Sequence, residues 1–271
     1  MIDFSKTRHY TLSIRLSADG FCFAVHNPLA VDEYAYQPYR IDSQKSLTAN
    51  LKEAAKEIEI LKHTYKTVNI IIADTDYTIV PKEFYAESHK TELFHKNISS
   101  SNTNITILQN PAGDEQAVIL FSIETQLYKY LTERFPKATI YAAITPLVNF
   151  GVEKSYSSPN KYCLLYLHKR KIDFMCFDKA TPLFINTFDC RDTANMLYFL
   201  LSCWSTLGLS QIDDTLHIAG RTRQSKEIQA ELAKFICNIH PIRPSEEFHS
   251  TELVRVDEMP FDFQALISSC E

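Results

Sequence analysis

The stretch "YLHKRK", residues 166 to 171, sets His168, Lys169, Arg170 and Lys171 side by side between two apolar runs. Guanidinium and ammonium groups gathered in one turn can hold a phosphate or an acidic peptide through charge-assisted hydrogen bonds. The competing reading is a turn whose charges are simply hydrated. Carboxylate chemistry is open to Asp74 and Asp76, which follow the β-branched run "TVNIII". Metal-assisted phosphodiester cleavage needs several acids around two cations, whereas Asp at a strand end also starts turns through its local hydrogen bonding. The other reactive residue types form no constellation. Nine histidines are scattered without an H-E-x-x-H, seven cysteines show no C-x-x-C, and no G-x-S-x-G occurs. Zinc and nucleophile-elbow chemistry therefore have no local support. His217 lies inside the apolar "TLHIAG" and reads as a satisfied core residue.

The elements that must position these residues repeat along the chain. Near the start, Tyr10, Leu12, Ile14 and Leu16 alternate with Thr11, Ser13, Arg15 and Ser17, the period of a strand. Asp19-Gly20 predicts a two-residue hairpin that sets Leu16 opposite Phe23 and Ile14 opposite Val25. A third extended run follows near residues 33–41. Leu47, Leu51, Ala54, Ala55, Ile58 and Leu61 then form a helical stripe, with Asp42 or Ser43 as its expected cap. "TVNIIIAD" reads as a strand buried on both faces. "SIETQLYKYLTERF", "ATIYAAI" and "TPLVNFGVEK" supply a helix, a strand and a closing helix with Pro146 in its first turn.

After a linker at residues 155–160, "SYSSPN", the order begins again. Strands are expected near 161–168, 171–178 and 181–188, then a helix at about 192–207, the strand "TLHIAG" and the helix "SKEIQAELAKFIC". A turn at His168–Lys171 makes Cys163 and Cys176 opposite neighbours, expected to be reduced thiols. The helix "TANMLYFLLSCWSTLGL" is apolar nearly all round. Its core stripe is expected at Leu197, Leu200, Leu201, Trp204 and Leu207, with Gly208 ending it. Such a helix is buried on several sides or carries a partner or self-association surface.

Composition narrows the class. The 271 residues are 45% apolar and 23% charged, which is globular, and the net charge of −5 argues against nucleic acid or an anionic membrane as partner. The opening "MIDFSKTRHY" lacks the apolar core of a signal peptide, and the stretch "ANMLYFLLSCW" is about half the ~20 residues that span a bilayer. The expectation is a soluble, cytoplasmic protein without membrane insertion. Five glycines in the whole chain leave little material for phosphate-cradling loops.

Three antiparallel strands feeding a helix and a parallel strand, twice over, resemble the actin-like ATPase superfamily, a tandem of two ribonuclease-H-like lobes. The run "DYTIVPKEFY" followed by "LFHKN" is also similar to a bacterial family known only as a domain of unknown function. The resemblance implies an α/β fold with two mixed five-stranded sheets flanked by helices. The first lobe is expected at residues 1–155, with an insertion near 82–122, and the second at 160–271. It further implies a cleft where D-x-G turns, one per lobe, grip phosphates around magnesium.

Matching the apolar patterns puts Arg15 and Ser17 at the Asp and Gly positions of the first turn, and Tyr166 and His168 at those of the second. The adenosine-cradling Gly-Gly keeps only Gly220. ATP hydrolysis is therefore not expected, and no cofactor is. What the resemblance leaves is an anion or ligand cleft at His168, Lys169, Arg170, Lys171, Gly220 and Arg221. The leading expectation is a non-enzymatic scaffold that binds a protein partner and has lost the nucleotide chemistry, a pseudoenzyme. An anion- or nucleotide-binding regulator is the alternative, and a divergent phosphotransferase or nuclease the third.

Overall fold

A computed structural model of the chain describes residues 2–99, 102–168, 170–220, 225–248 and 252–269. Backbone contacts divide it into two units, Met1–Pro146 with Phe248–Glu271, and Leu147–Glu247. The first unit opens with β1 (Thr11–Ser17), β2 (Gly20–Asn27) and β3 (Ala30–Tyr39), followed by α1 (Leu47–Glu57) and β4 (Thr67–Ile72). Next come β5 (Tyr77–Pro81), α2 (Lys90–Asn97), β6 (Ile105–Ala112) and β7 (Ala117–Glu124), then α3 (Thr125–Arg134) and β8 (Thr139–Ala142). The main sheet runs β3-β2-β1-β4-β8. Its first three strands are antiparallel, while β4 lies parallel to β1 and β8 parallel to β4.

Strand alternation decides which face meets the helices. Leu12, Ile14 and Leu16 pack with Phe21, Phe23 and Val25 against Leu51 and Ala54 of α1 and Leu127 and Leu131 of α3. Each such side chain contributes about 1.5–3 kcal/mol on full burial. The register differs from expectation by one turn residue. Ile14 pairs with Phe23 and Leu16 with Phe21, so Ala18 and Asp19 are the central pair and Gly20 already belongs to β2. The slip moves each partner by two residues, so the same side chains still face the core. The cap of α1 is Ser46, which accepts from Ala49 N–H, rather than Asp42 or Ser43. Asp42 instead accepts from Gln44 N–H, a local turn that uses it up before the helix begins. Between β4 and α3, residues 77–124 form a separate antiparallel sheet, β5-β7-β6, closed by α2 over Val80, Phe94, Val118 and Leu120.

The second unit begins within α4 (Ile144–Tyr156) and continues with β9 (Tyr162–Leu167), β10 (Lys171–Asp178) and β11 (Thr181–Asp189). Then follow α5 (Thr193–Thr206), β12 (Thr215–Ala219), α6 (Ser225–Leu232), β13 (Asn238–Pro241) and the single turn α7 (Pro244–Glu247). Its sheet, β11-β10-β9-β12-β13, repeats the first in order and direction. Cys163 and Cys176 are opposite one another, with sulfurs 3.8 Å apart and both thiols free. The hydrogen bond between them, then burial, holds Cys163 well above the ordinary thiol value.

Helix α5 turns a slightly different face inward from the one expected. Met196, Leu200 and Trp204 are the fully buried residues, Leu197, Leu201 and Leu207 are half-buried, and Tyr198 is 68% exposed. The helix lies on one side of the sheet only, so its apolar girth exceeds what the core covers. Gly208, at φ 60°, ends it with the paired bonds of a Schellman turn, Gly208 N–H to Ser205 and Leu209 N–H to Trp204.

Two helices depart from the expected lobe boundaries. From Leu147 onward α4 goes with the second unit, where a side chain on Gly151 would clash with the ring of Phe177 and Ser155 Oγ accepts from Ala180 N–H. The closing α8 (Phe261–Ser269) goes with the first unit, and Phe261 through Ile267 are all buried there. Among the described residues, no helix is long and apolar enough to cross a membrane.

Candidate functional site

The turn between β1 and β2 is built from its own side chains. Asp74, just beyond β4, accepts through Oδ2 from the Ala18 N–H at 2.7 Å and from the Ser17 hydroxyl at 2.9 Å. Ser17 Oγ in turn accepts from the Asp19 N–H at 3.1 Å. The two turn amides thus point at an internal carboxylate and an internal hydroxyl. Asp74 acts as a turn-holding group for the distant β1–β2 turn, not through the local hydrogen bonding expected at a strand end. Asp76 contributes its backbone carbonyl to Ser122 N–H.

Arg15, where the resemblance would place a metal-positioning acid, is buried at 8% exposure. Its Nε donates to both oxygens of Asp262 at 2.9 and 3.0 Å, and Nη2 donates to Oδ2 at 2.9 Å. This fork is the tie that holds α8 to β1. Cys22, the cross-strand neighbour of Arg15, accepts from the Tyr36 hydroxyl at 3.2 Å. Burial pushes the Cys22 thiol up, which disfavours its thiolate form.

In the second unit the turn falls at His168–Lys171 as expected, with His168 N–H donating to the Lys171 carbonyl. His168 Nε2 lies 2.6 Å from Asp173 Oδ2, and the Thr187 hydroxyl donates to Asp173 Oδ1 at 2.6 Å. The Tyr166 ring meets His168 edge-on at 4.2 Å. Gly220, at φ 80°, is packed so closely that a side-chain carbon there would come within 2.6 Å of the Leu167 carbonyl and 2.9 Å of the Tyr166 ring. Arg170 and Lys171 are exposed. Lys169 and Arg221 lie outside the described residues, so convergence of the full basic set is not part of the described geometry.

His168 and Gly220 are therefore brought to Tyr166, while Arg170 and Lys171 face water. Asp173 and Thr187, beside the second turn, and Asp262, the partner of Arg15 in β1, were not singled out by sequence reasoning. The available signal was an acid inside an apolar run, "KIDFMCF" and "PFDFQALI". His217 departs from the satisfied core residue expected of it. It is half-buried, stacked between Tyr162 at 4.0 Å and His240 at 5.7 Å, and its Nδ1 has no hydrogen-bond partner. Burial lowers its pKa to about 4. Among the described residues, no group of three or more His, Cys, Asp or Glu could hold a metal ion.

A magnesium nucleotide, which the fold implies, does not fit these turns. It would need an acid at Arg15 or Tyr166 to hold the metal's waters, and amides at Ala18 and Asp19 that point at phosphate.

Residues 1–239 match the model of a family described as "Protein of unknown function (DUF3822)". Among solved structures, a Bacteroides thetaiotaomicron protein with actin-like ATPase fold and unknown function is 34% identical, covering 100% of both chains with a TM-score of 0.88. A chain of the PilM-PilN type IV pilus biogenesis complex is 13% identical, covers 95% of this chain and 98% of its own, and gives a TM-score of 0.53. That second likeness is one of fold. No curated protein matches the sequence. The repeated sheets, the family match over residues 1–239 and the full-length relative agree that this chain belongs to the DUF3822 family and has the actin-like ATPase fold.

Proposed function

We propose that the protein is a non-enzymatic scaffold, an actin-like fold that binds a protein partner and no longer handles nucleotide. The observation that supports this most is the first turn, where the Asp74 carboxylate stands at the amide of Ala18. An incoming phosphate would have to displace a resident anion and would meet its charge. Arg15, neutralised by Asp262, offers neither a metal ligand nor a free cation. In the second unit Tyr166 covers the glycine that would lie against adenosine. A chain of this fold has been solved in a complex with a second pilus protein, so partner binding is compatible with the architecture.

Titration calorimetry and a phosphate-release assay with Mg·ATP test the reading. Neither binding heat at physiological nucleotide concentrations nor turnover is expected. Saturable micromolar binding that disappears in Tyr166→Ala would overturn it. The anion-binding alternative rests on the exposed Arg170 and Lys171. It predicts phosphate or acidic-peptide affinity that falls with salt and is lost on changing Lys169, Arg170 and Arg221 to Ala.

A further inference from the structure

Strands β9 and β10 set two nucleophilic side chains against each other inside the second unit. Cys163 and Cys176 are opposite residues, neither has any exposed surface, and Cys163 Sγ donates to Cys176 Sγ at 3.8 Å. Elsewhere thiols meet other groups: Cys22 accepts from the Tyr36 hydroxyl, and Cys190 donates to the Phe188 carbonyl.

The hairpin register decides how close the two sulfurs can come. His168 N–H donates to the Lys171 carbonyl across the turn, so 168/171 is a hydrogen-bonded pair. Bonded and non-bonded pairs alternate down an antiparallel ladder, and the pairing from Leu167↔Ile172 to Tyr162↔Phe177 runs without a bulge. Cys163 and Cys176 therefore occupy a non-hydrogen-bonded position, where Cα atoms approach to about 4.5 Å and side chains are nearest. A disulfide needs Cα atoms about 4.4–6.8 Å apart. The backbone spacing is already that of a bridged pair. The hydrogen bond also divides the roles. It holds the Cys176 thiol below its ordinary value and Cys163 well above, so Cys176 is the sulfur that attacks and Cys163 the one that resolves.

We propose that Cys163 and Cys176 form a redox-convertible pair, which hydrogen peroxide closes into a cross-strand disulfide that fastens the β9–β10 hairpin beneath the His168–Lys171 turn. Burial of both sulfurs selects the oxidant. A bulky disulfide does not reach them in the folded unit, whereas peroxide is little larger than water. The Cys176 thiolate attacks one peroxide oxygen, the O–O bond breaks, and hydroxide leaves with the thiol proton as water. Cys163 then attacks the sulfenic sulfur. The S–S bond forms, the S–O bond breaks, and the departing oxygen takes the Cys163 proton to leave as a second water. Two thiols are oxidised and one peroxide is reduced to two waters. A dithiol reductant reverses the link.

Titration of the full chain with hydrogen peroxide, alkylation of the remaining thiols after denaturation, and tryptic mass spectrometry test this. Cleavage at Lys161, Lys169, Lys171 and Lys179 puts the two cysteines in separate peptides, residues 162–169 and 172–179. The expected product is these peptides joined and lighter than their sum by two hydrogens. The melting temperature should stand about 3 °C or more above that of peroxide-treated Cys176→Ala, and dithiothreitol should reverse both changes. The joined peptides are read in the unsubstituted chain, so the test stays decisive if the variant folds poorly. The proposal is overturned if Cys163 and Cys176 stay alkylatable while the exposed Cys237 is oxidised. It is overturned equally if either joins another cysteine, or if the link forms without a rise in melting temperature.

Discussion

Asp262 has no exposed surface, and its carboxylate is satisfied by the Arg15 fork. Removing one member of a buried pair leaves the other desolvated and uncompensated, so Asp262→Ala is expected to lose about 3–5 kcal/mol in urea unfolding. Arg15→Met combined with Asp262→Leu should recover most of that loss, because an apolar pair carries no desolvation cost. Asp74 is exposed, and Asp74→Ala should cost less, about 1–2 kcal/mol, by returning the Ala18 amide and Ser17 hydroxyl to water. Acid stability belongs to this scale too. Burial lowers His26 and His217 from 6.5 to about 4, so the unfolded chain takes up these protons first. Their contribution is complete above about pH 6.5 and lost as pH falls through about 4, which melting temperatures across that window will show. The His217→Phe variant should flatten part of the slope.

Among the elements, the turns and helix ends make the sharpest contrast. Gly208 and Gly220 both have positive φ, but a side-chain carbon at Gly208 meets nothing within 4 Å while one at Gly220 strikes the Leu167 backbone. Gly208→Ala should therefore cost about 1 kcal/mol, the conformational term alone. Gly220→Ala should lower the melting temperature by clearly more, since backbone must move. The sequence made such local features legible. Alternation in "YTLSIRLS", the β-branched run at 67–72 and the stop at Gly208 are all signals carried within a few residues. The hairpin slipped by a residue because Asp74, 56 positions from Ala18, selects which amides form the turn. The inward face of α5 was rotated for a similar reason: Leu200 and Trp204 face the core as expected, but Met196 takes the place of Leu197 and Leu201 against the sheet beneath. The site was less legible than the strands. Arg15 could be seen to replace an acid, but nothing local indicates that its partner stands 247 positions later.

At the scale of the whole molecule, the units are distinguished by where their parts lie in the sequence. The first unit needs Phe248–Glu271 and the second is continuous from Leu147 to Glu247. A chain ending at Glu247 should therefore lose amide protection in β1 and β2 while β9, β10 and β12 keep theirs, as hydrogen exchange can read strand by strand. Equal loss in both sheets would show that the units do not unfold separately. The same layout orders events during synthesis. As the polypeptide leaves the ribosome, β1 emerges early and its arginine has no counterion until the last helix follows. The continuous unit has all its strands in hand well before then. The nascent protein should thus acquire a settled middle first, and its opening strands should be the longest dependent on chaperones.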